Sequence, residues 1–257
     1  MIIEYKRPAT LDEALELLAR RDPPSVPLAG GSALNRPSPD PLAAVDLQSL
    51  GLDRYEVHGN SLELGATLTL QALLEAEQPQ PALKQVIQHE ATHNLRQVAT
   101  VAGTLVSADG RSPFACAFLA LDAALTVLAV DSKKGEEQIS LGDLLPLRAE
   151  RLRGRLITQV SIPLNARLAY QYVARTPADL PLVCAALASW PSGRTRLALG
   201  GFGKSPVLAF DGTEAAGVDV AAQNAYSQAE DQWASAAYRQ EVAGALARRC
   251  LKELSLA

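Results

Sequence analysis

The stretch PLAGGSALN, residues 27–35, decides how this chain is interpreted. It follows a short apolar run and contains two adjacent glycines, Gly30 and Gly31, before the hydroxyl of Ser32. Adjacent glycines let the backbone turn where side chains would clash, and they let amide N–H groups converge on one concavity. Such a concavity suits an anion, most often a phosphate. A plain Gly-Gly turn between two strands has the same sequence, so this alternative stays open.

A related stretch of small residues, TVAGT, lies further along the chain at residues 100–104. We call residues 29–34 the first glycine segment and residues 100–104 the second glycine segment. Each follows an apolar or β-branched approach, and each is predicted to be a turn between structural elements. Two such turns are suited to hold one diphosphate from two sides.

Composition excludes several classes of protein. The chain has 257 residues, of which 48% are apolar and 20% charged, as in ordinary globular proteins, and it is long enough for one to three domains. A formal charge of −4 argues against a nucleic-acid-binding surface. The three cysteines are too far apart for a disulfide framework or a cysteine metal site, so we expect buried thiols and a cytoplasmic location. We expect neither a signal peptide nor a membrane span.

Hydrophobic periodicity predicts an α+β fold built from short strands and amphipathic helices. Thr10 and Glu13 form a capping box that begins the first helix, and Pro81 begins a later one that reaches about His93. Predicted strands cover residues 2–5, 26–28, 44–47, 55–58, 61–65, 124–130, 156–162, 170–173, 182–190, 194–200 and 207–210. Predicted helices cover residues 11–21, 70–75, 81–93, 113–121 and 238–254, and loops cover residues 37–41 and 131–137.

One short motif suggests a different chemistry. Residues 89–93 read HEATH, a literal H-E-x-x-H, which on a helix places two imidazoles on one face beside a carboxylate. A catalytic zinc ion also needs a third protein ligand, and the remaining histidine, His58, belongs to a predicted hairpin. A zinc peptidase that uses His89, Glu90 and His93 is therefore kept as a second alternative. The competing interpretation of the motif is a partly exposed polar helix without a metal.

Other familiar catalytic and nucleotide-binding patterns are missing from the sequence. Ser32 does not lie in a G-x-S-x-G elbow, and no Gly-Lys-Ser/Thr follows either glycine segment. The G-x-G-x-x-G fingerprint is also absent, which argues against a Rossmann domain.

Taken together, the ordered motifs resemble the flavoprotein (medium) subunit of molybdenum hydroxylases, such as carbon monoxide dehydrogenase and xanthine dehydrogenase. The first glycine segment is similar to the family's Ala-Gly-Gly-Thr-Asp-Leu. The region around the second is similar to Ile-Arg-Asn-x-Gly-Thr-Ile-Gly-Gly-Asn-Leu. The resemblance covers nearly the whole chain, through residues 28–34, 94–105, 119–123, 175–183, 198–202 and 234–239.

The resemblance implies two FAD-binding subdomains, residues 1–52 and 53–163, followed by a flavoprotein C-terminal domain, residues 164–257. It implies that backbone N–H groups of both glycine segments hold the FAD diphosphate. The flavin would take electrons from iron–sulfur clusters of a small partner subunit, fed by a molybdenum-cofactor large subunit, and pass them to an external acceptor. The implied cofactor-binding residues are Ala29, Gly30, Gly31, Ser32, Ala33, Leu34, Thr100, Val101, Ala102, Gly103, Thr104, Asp109, Arg175, Asp179 and Leu180.

The sequence departs from the family pattern at four of these positions. Ala33 replaces an Asp, Ala102 a Gly, Thr104 an Asn, and Leu180 an aromatic residue that would lie against the flavin. Ala102 adds a methyl group where the diphosphate would come close. The first alternative is therefore a diverged family member with weakened or lost FAD binding that acts as a scaffold subunit.

Overall fold

A computed structural model describes residues 1–34, 40–130 and 136–256 of the chain. Asn35, the predicted loop positions Pro37 and Pro39, and residues 131–135 of the predicted polar loop lie outside the described residues.

Strands and helices occur in runs along the chain. The strands are β1 (Ile2–Lys6), β2 (Ser25–Leu28), β3 (Leu42–Asp46), β4 (Tyr55–His58), β5 (Ser61–Gly65), β6 (Ala124–Ala129), β7 (Glu137–Ser140), β8 (Arg155–Pro163), β9 (Arg167–Val173), β10 (Val183–Ser189), β11 (Thr195–Gly200) and β12 (Val207–Gly212). The α-helices are α1 (Leu11–Leu18), α2 (Leu70–Glu75), α3 (Pro81–Glu90), α4 (His93–Arg96), α5 (Val101–Ser107), α6 (Pro113–Ala120), α7 (Leu141–Leu144), α8 (Arg148–Arg151), α9 (Val218–Ala225) and α10 (Ala236–Leu256). Helices α2 to α6 are consecutive, and so are strands β8 to β12.

The α+β class is confirmed, and local signals in the sequence explain many of the boundaries. Thr10 caps α1, with its side chain accepting from the N–H of Glu13, and the Glu13 carboxylate accepts in turn from the N–H of Ala9. This pair differs from a strict capping box only in that Glu13 bonds the N–H of the residue before the N-cap rather than that of Thr10.

Several predictions were wrong in detail. Helix α1, for example, ends at Leu18 rather than near Arg21. The helix that begins at Pro81 ends at Glu90, because Ala91 is extended, and the second glycine segment is the start of helix α5 rather than a turn.

The chain forms two compact units, each built from separate stretches of sequence. The first unit comprises residues 1–75, 93–107 and 124–161, and the second comprises residues 76–92, 108–123 and 162–257. The predicted division into residues 1–52, 53–163 and 164–257 stays a prediction.

The first unit contains two sheets. Strands β1, β3 and β2 form a parallel sheet in that order, and a five-stranded sheet has the order β4-β5-β8-β6-β7. Helix α1 presents Ala14, Leu15 and Leu18 to a core that also contains Val45 of β3 and Leu156 of β8. Because β3 is the central strand of its sheet and packs under α1, it holds the end of β2 in place immediately before the first glycine segment.

The second unit is an antiparallel sheet with the order β12-β11-β10-β9 and helices packed against it. Val183, Ala185 and Leu187 of β10 pack in one core cluster with residues of α9 and α10, such as Val218 and Leu246. Alternate residues of a strand point to opposite faces. Helix α6 also contacts β10 and β11, and six of the seven β10 residues are buried, so this strand is covered on both faces.

None of the helices formed by the described residues combines the length and apolar character that crossing a bilayer requires. The three cysteines, Cys116, Cys184 and Cys250, are buried free thiols, as the sequence predicted.

Candidate functional site

The two glycine segments lie in the first unit, and Gly30 is packed against the chain just before the second of them. A Cβ atom on Gly30 would overlap the carbonyl oxygen of Val98 and would lie 3.3 Å from the N atom of Ala99. Both neighbours are backbone atoms, which cannot rotate away as a flexible side chain can. A glycine is therefore required here for close approach of two backbone segments.

Gly31 satisfies a different requirement, since its φ of +72° lies in the left-handed region that favours glycine. After this reversal, the N–H groups of Gly31, Ser32 and Ala33 donate no hydrogen bond to any atom within residues 1–34, 40–130 and 136–256. Ser32 and Ala33 are exposed. The first glycine segment therefore offers consecutive backbone donors to a ligand, as phosphate-binding loops do.

The second glycine segment is held by residues 66–70 and by its own helix. The N–H of Leu70 donates to Ala99 at 2.9 Å, and that of Val101 donates to Leu68 at 2.8 Å. The N–H of Gly103 donates to the Thr100 hydroxyl at 3.3 Å, in the manner of an N-cap. Ala102 and Thr104 also donate to carbonyl oxygens within the unit. Phosphate binding by these N–H groups stays a prediction, because it requires that existing hydrogen bonds be exchanged.

A largely apolar cavity of about 310 Å³ opens between the two segments. The first segment lines it along its whole length, and the second contributes Thr100, Ala102 and Gly103. Ser107 and Arg155 add polar groups, and the Arg155 guanidinium is also paired with Glu137 at 2.7 Å. The remaining wall is aliphatic, supplied by Val26, Pro27, Leu28, Leu47, Ala66, Val106, Leu152, Leu156 and Ile157.

A second, more polar cavity of about 500 Å³ shares Ala29, Gly30 and Thr100 with the first. Its lining is rich in hydroxyl, amide and carboxyl groups, from Gln48, Asp53, Thr67, Thr69 and Gln97, together with Leu68, Ala72 and Val98. Both volumes fall within the roughly 300–1,000 Å³ of typical ligand sites. The two cavities meet where the two glycine segments come together.

This geometry fits the cofactor that the resemblance implies. FAD has an aromatic group at each end and an anionic diphosphate between them. Here two cavities adjoin a segment whose three amide donors have no acceptor within residues 1–34, 40–130 and 136–256. Ala102 lies on the wall of the apolar cavity, and the cavity stays open beside it. Val101 and Thr104 line neither cavity, so the structure does not bring these two predicted site residues to the ligand space.

The other predicted site residues, Asp109, Arg175, Asp179 and Leu180, belong to the second unit. Two of them are linked through Arg111, which sequence reasoning missed. Arg111 donates its backbone N–H to the Asp109 carboxylate at 2.8 Å and a guanidinium N–H to the Leu180 carbonyl at 2.6 Å.

The guanidiniums of Arg111 and Arg175 both lie over the ring of Trp233, at 5.4 and 5.2 Å from its centroid. The Asp179 carboxylate instead accepts from the N–H of Thr176 at 3.2 Å. Arg111 and Trp233 are far apart in the sequence and belong to no motif, so the sequence does not indicate this cluster.

The zinc motif at residues 89–93 is contradicted by the structure. Because α3 ends at Glu90, His89 and His93 do not share one helix. Both ring nitrogens of His89 have hydrogen-bond partners, the Tyr170 hydroxyl and the Asp179 carbonyl, each at 2.9 Å.

Glu90 also has a structural role, since its carboxylate accepts from the hydroxyl of Ser112 and the N–H of Phe114. Burial raises the pKa of Glu90, while these two hydrogen bonds act in the opposite direction. The motif is therefore a set of packing and capping contacts.

A family model and several known proteins are similar to this chain. A family model described as the FAD binding domain in molybdopterin dehydrogenase matches residues 1–165. The uncharacterized protein YgfM of Escherichia coli K12 is 30% identical over 253 residues, which cover 96% of this chain and 94% of that protein. A xanthine dehydrogenase of Blastobotrys adeninivorans is 28% identical over 184 residues, which cover 62% of this chain and 13% of that enzyme.

Solved structures show the same fold at lower identity. Quinoline 2-oxidoreductase from Pseudomonas putida 86 superposes with a TM-score of 0.79 at 24% identity, over 97% of this chain and 95% of that one. A Cu,Mo-CO dehydrogenase gives a TM-score of 0.79 at 23% identity, over 98% and 97% of the two chains.

Proposed function

Since the chain belongs to the family of FAD-binding domains of molybdopterin dehydrogenases, with FAD as the family's cofactor, we propose that it is an electron-transfer subunit. A molybdenum-cofactor subunit supplies electrons to the iron–sulfur clusters of a partner subunit. This chain takes the electrons from those clusters and passes them to an external acceptor. We place it in the cytoplasm, in keeping with its free buried cysteines.

The observation that carries the proposal is the meeting of two cavities at Ala29, Gly30 and Thr100, beside N–H groups that have no acceptor in the described part of the chain. A single anion would need only the donors, and a single aromatic ring would need only one cavity. A dinucleotide with a central diphosphate uses all three features.

The chain's own residues would hold and place the cofactor. The N–H groups of Gly31, Ser32 and Ala33 and the Ser32 hydroxyl donate to the diphosphate, where charge-assisted hydrogen bonds are stronger than neutral ones. The aliphatic wall of the first cavity excludes water from an aromatic ring, and Asp53 and Gln97 of the second offer polar groups to sugar hydroxyls. The flavin supplies the redox chemistry when it is bound.

Ligand titration tests the binding part of the proposal. Apo-protein titrated with FAD should quench flavin fluorescence and saturate at one FAD per chain. FMN, which lacks the adenosine half and would leave one cavity empty, should bind at least about tenfold more weakly. Equal affinities for FAD and FMN, or no saturable FAD binding, would contradict this use of the two cavities.

Purification of the complex tests the electron-transfer part. The chain isolated from its native host should co-purify with partner chains that carry iron and molybdenum, both measurable by elemental analysis. Reduction by the substrate of the complex should bleach the flavin, and an external acceptor should restore its colour. Flavin that stays oxidised while the iron–sulfur clusters are reduced would refute the electron path.

A further inference from the structure

We propose that the β4–β5 hairpin of the first unit binds a divalent transition-metal ion, of which zinc is the best fit. The ligands are Nε2 of His58 and the carboxylates of Glu56 and Glu63. This site is separate from both cavities of the FAD site, because none of its three residues lines them. It does not depend on the proposed function.

The hairpin register places the three side chains together. Glu56 of β4 is paired directly with Glu63 of β5, and His58 lies two residues beyond Glu56. Alternate residues of a strand share a face, so Glu56 and His58 point to the same side of the sheet. Residues paired across antiparallel strands also share a face, which brings Glu63 to that side. Strand β4 is the edge of its sheet, so this face is reached without crossing another strand.

The distances from the His58 imidazole to the two carboxylates are close to those between neighbouring ligands of a tetrahedral ion. With metal–ligand bonds of about 2.0–2.2 Å, neighbouring ligand atoms of a tetrahedral zinc lie about 3.3–3.6 Å apart. Nε2 of His58 lies 3.2 Å from a Glu56 carboxylate oxygen and 3.6 Å from one of Glu63. All three ligand atoms lie within 4.8 Å of one another. Three protein ligands leave the fourth position to water.

The charges around the hairpin also favour a cation. Two carboxylates directly opposite each other in a β-ladder destabilise the pair. Glu136 lines the same cavity of about 210 Å³ as Glu56 and Glu63, which adds a third carboxyl group. Arg54 lines that cavity too, but within the described part of the chain it forms no ion pair with either glutamate of the hairpin.

The chemistry of the donors selects the kind of metal. Calcium and magnesium prefer sites made entirely of oxygen, whereas an imidazole suits zinc, copper, iron and nickel. Without a metal, the same atoms form an ordinary contact between an imidazole and two carboxylates. Only a metal site predicts saturable binding of one metal ion per chain.

The test is a Co²⁺ titration of the full chain, free of any histidine tag and stripped with a chelator. We expect a saturable visible absorption band at one Co²⁺ per chain, displaced by Zn²⁺. His58→Ala and Glu63→Gln should each weaken binding at least about tenfold, since loss of even an outer-sphere partner costs 10–100-fold. His93→Ala is the matched control, because it removes another exposed histidine and should leave binding unchanged.

Thermal unfolding gives a second readout and checks that the variants fold. Zn²⁺ should raise the Tm of the natural chain and of His93→Ala, but not that of Glu63→Gln, because an ion that binds only the folded state stabilises it. The proposal is overturned by the absence of saturable Co²⁺ binding, by unchanged binding in His58→Ala, or by equal loss in His93→Ala. None of these results bears on FAD binding.

Discussion

Replacing Gly30 by alanine probes the point where the two glycine segments meet. The added Cβ would overlap the Val98 carbonyl oxygen and press on the N atom of Ala99 at 3.3 Å. Because these are backbone atoms, the first glycine segment must move away from residues 98–100. Those residues carry Thr100, which lines both cavities, so the shape of the FAD site changes with the packing.

The size of the effect follows from the cost of overpacking. One extra methyl in a well-packed position costs about 1–3 kcal/mol. If the substitution destabilises only the conformation that binds FAD, the Kd for FAD rises by about 5- to 150-fold. The upper part of this range is expected, because no side-chain rotation relieves the overlap.

The assay is fluorescence titration of each apo-protein with FAD, beside a thermal melt. Gly217→Ala is the matched control, since Gly217 has a φ of +78° and a Cβ there would meet no atom within 4 Å. It should lose about 1–2 kcal/mol of stability through its left-handed backbone and keep its FAD affinity. If Gly30→Ala binds FAD as tightly as Gly217→Ala, the two glycine segments do not form the site.

Three further changes test other parts of the structure. Thr100→Val removes the hydroxyl that caps α5 and should lower the free energy of unfolding by about 0.5–2 kcal/mol in urea, whereas Thr100→Ser should not. The hydrogen bond from Arg194 lowers the pKa of Asp211 below its ordinary 3.8. The ionised Asp211 carboxylate therefore stabilises the fold fully above pH 3.8, and this stabilisation is lost as pH falls through the lower folded-state pKa. Asp211→Asn should flatten the acid limb of a pH–stability curve. Arg239→Met should cost about 3–5 kcal/mol in the same urea assay, because the fully buried Arg239 guanidinium donates to the carbonyl oxygens of Leu182, Ala229 and Ala234, which would lose that donor.

Much of the fold was predictable because its signals are local. The capping box at Thr10, the Gly59 turn of the β4–β5 hairpin and the proline that begins α3 are each encoded within a few residues. The second glycine segment was predicted as a turn, whereas the Thr100 hydroxyl and pairing with residues 68–70 start a helix there. Thr100 is a local N-cap, but residues 68–70 are distant in sequence, and local patterns do not reveal that pairing.

The sequence likewise predicted some parts of the candidate site and missed others. Adjacent glycines at Gly30 and Gly31 indicated a backbone concavity, and the structure gives each glycine a separate reason. The aliphatic wall from Leu152 to Ile157 and the polar lining at Asp53 were missed. Nothing distinguishes such residues in the sequence, because an apolar residue that lines a cavity reads like one that fills a core.

The most direct test of the account is a crystal structure of the chain reconstituted with FAD. Diphosphate oxygens should lie about 2.7–3.2 Å from the backbone N atoms of Gly31, Ser32 or Ala33, with the two halves of FAD in the two cavities. A diphosphate bound away from these groups, or no FAD density between residues 29–34 and 100–103 at saturating FAD, would contradict it.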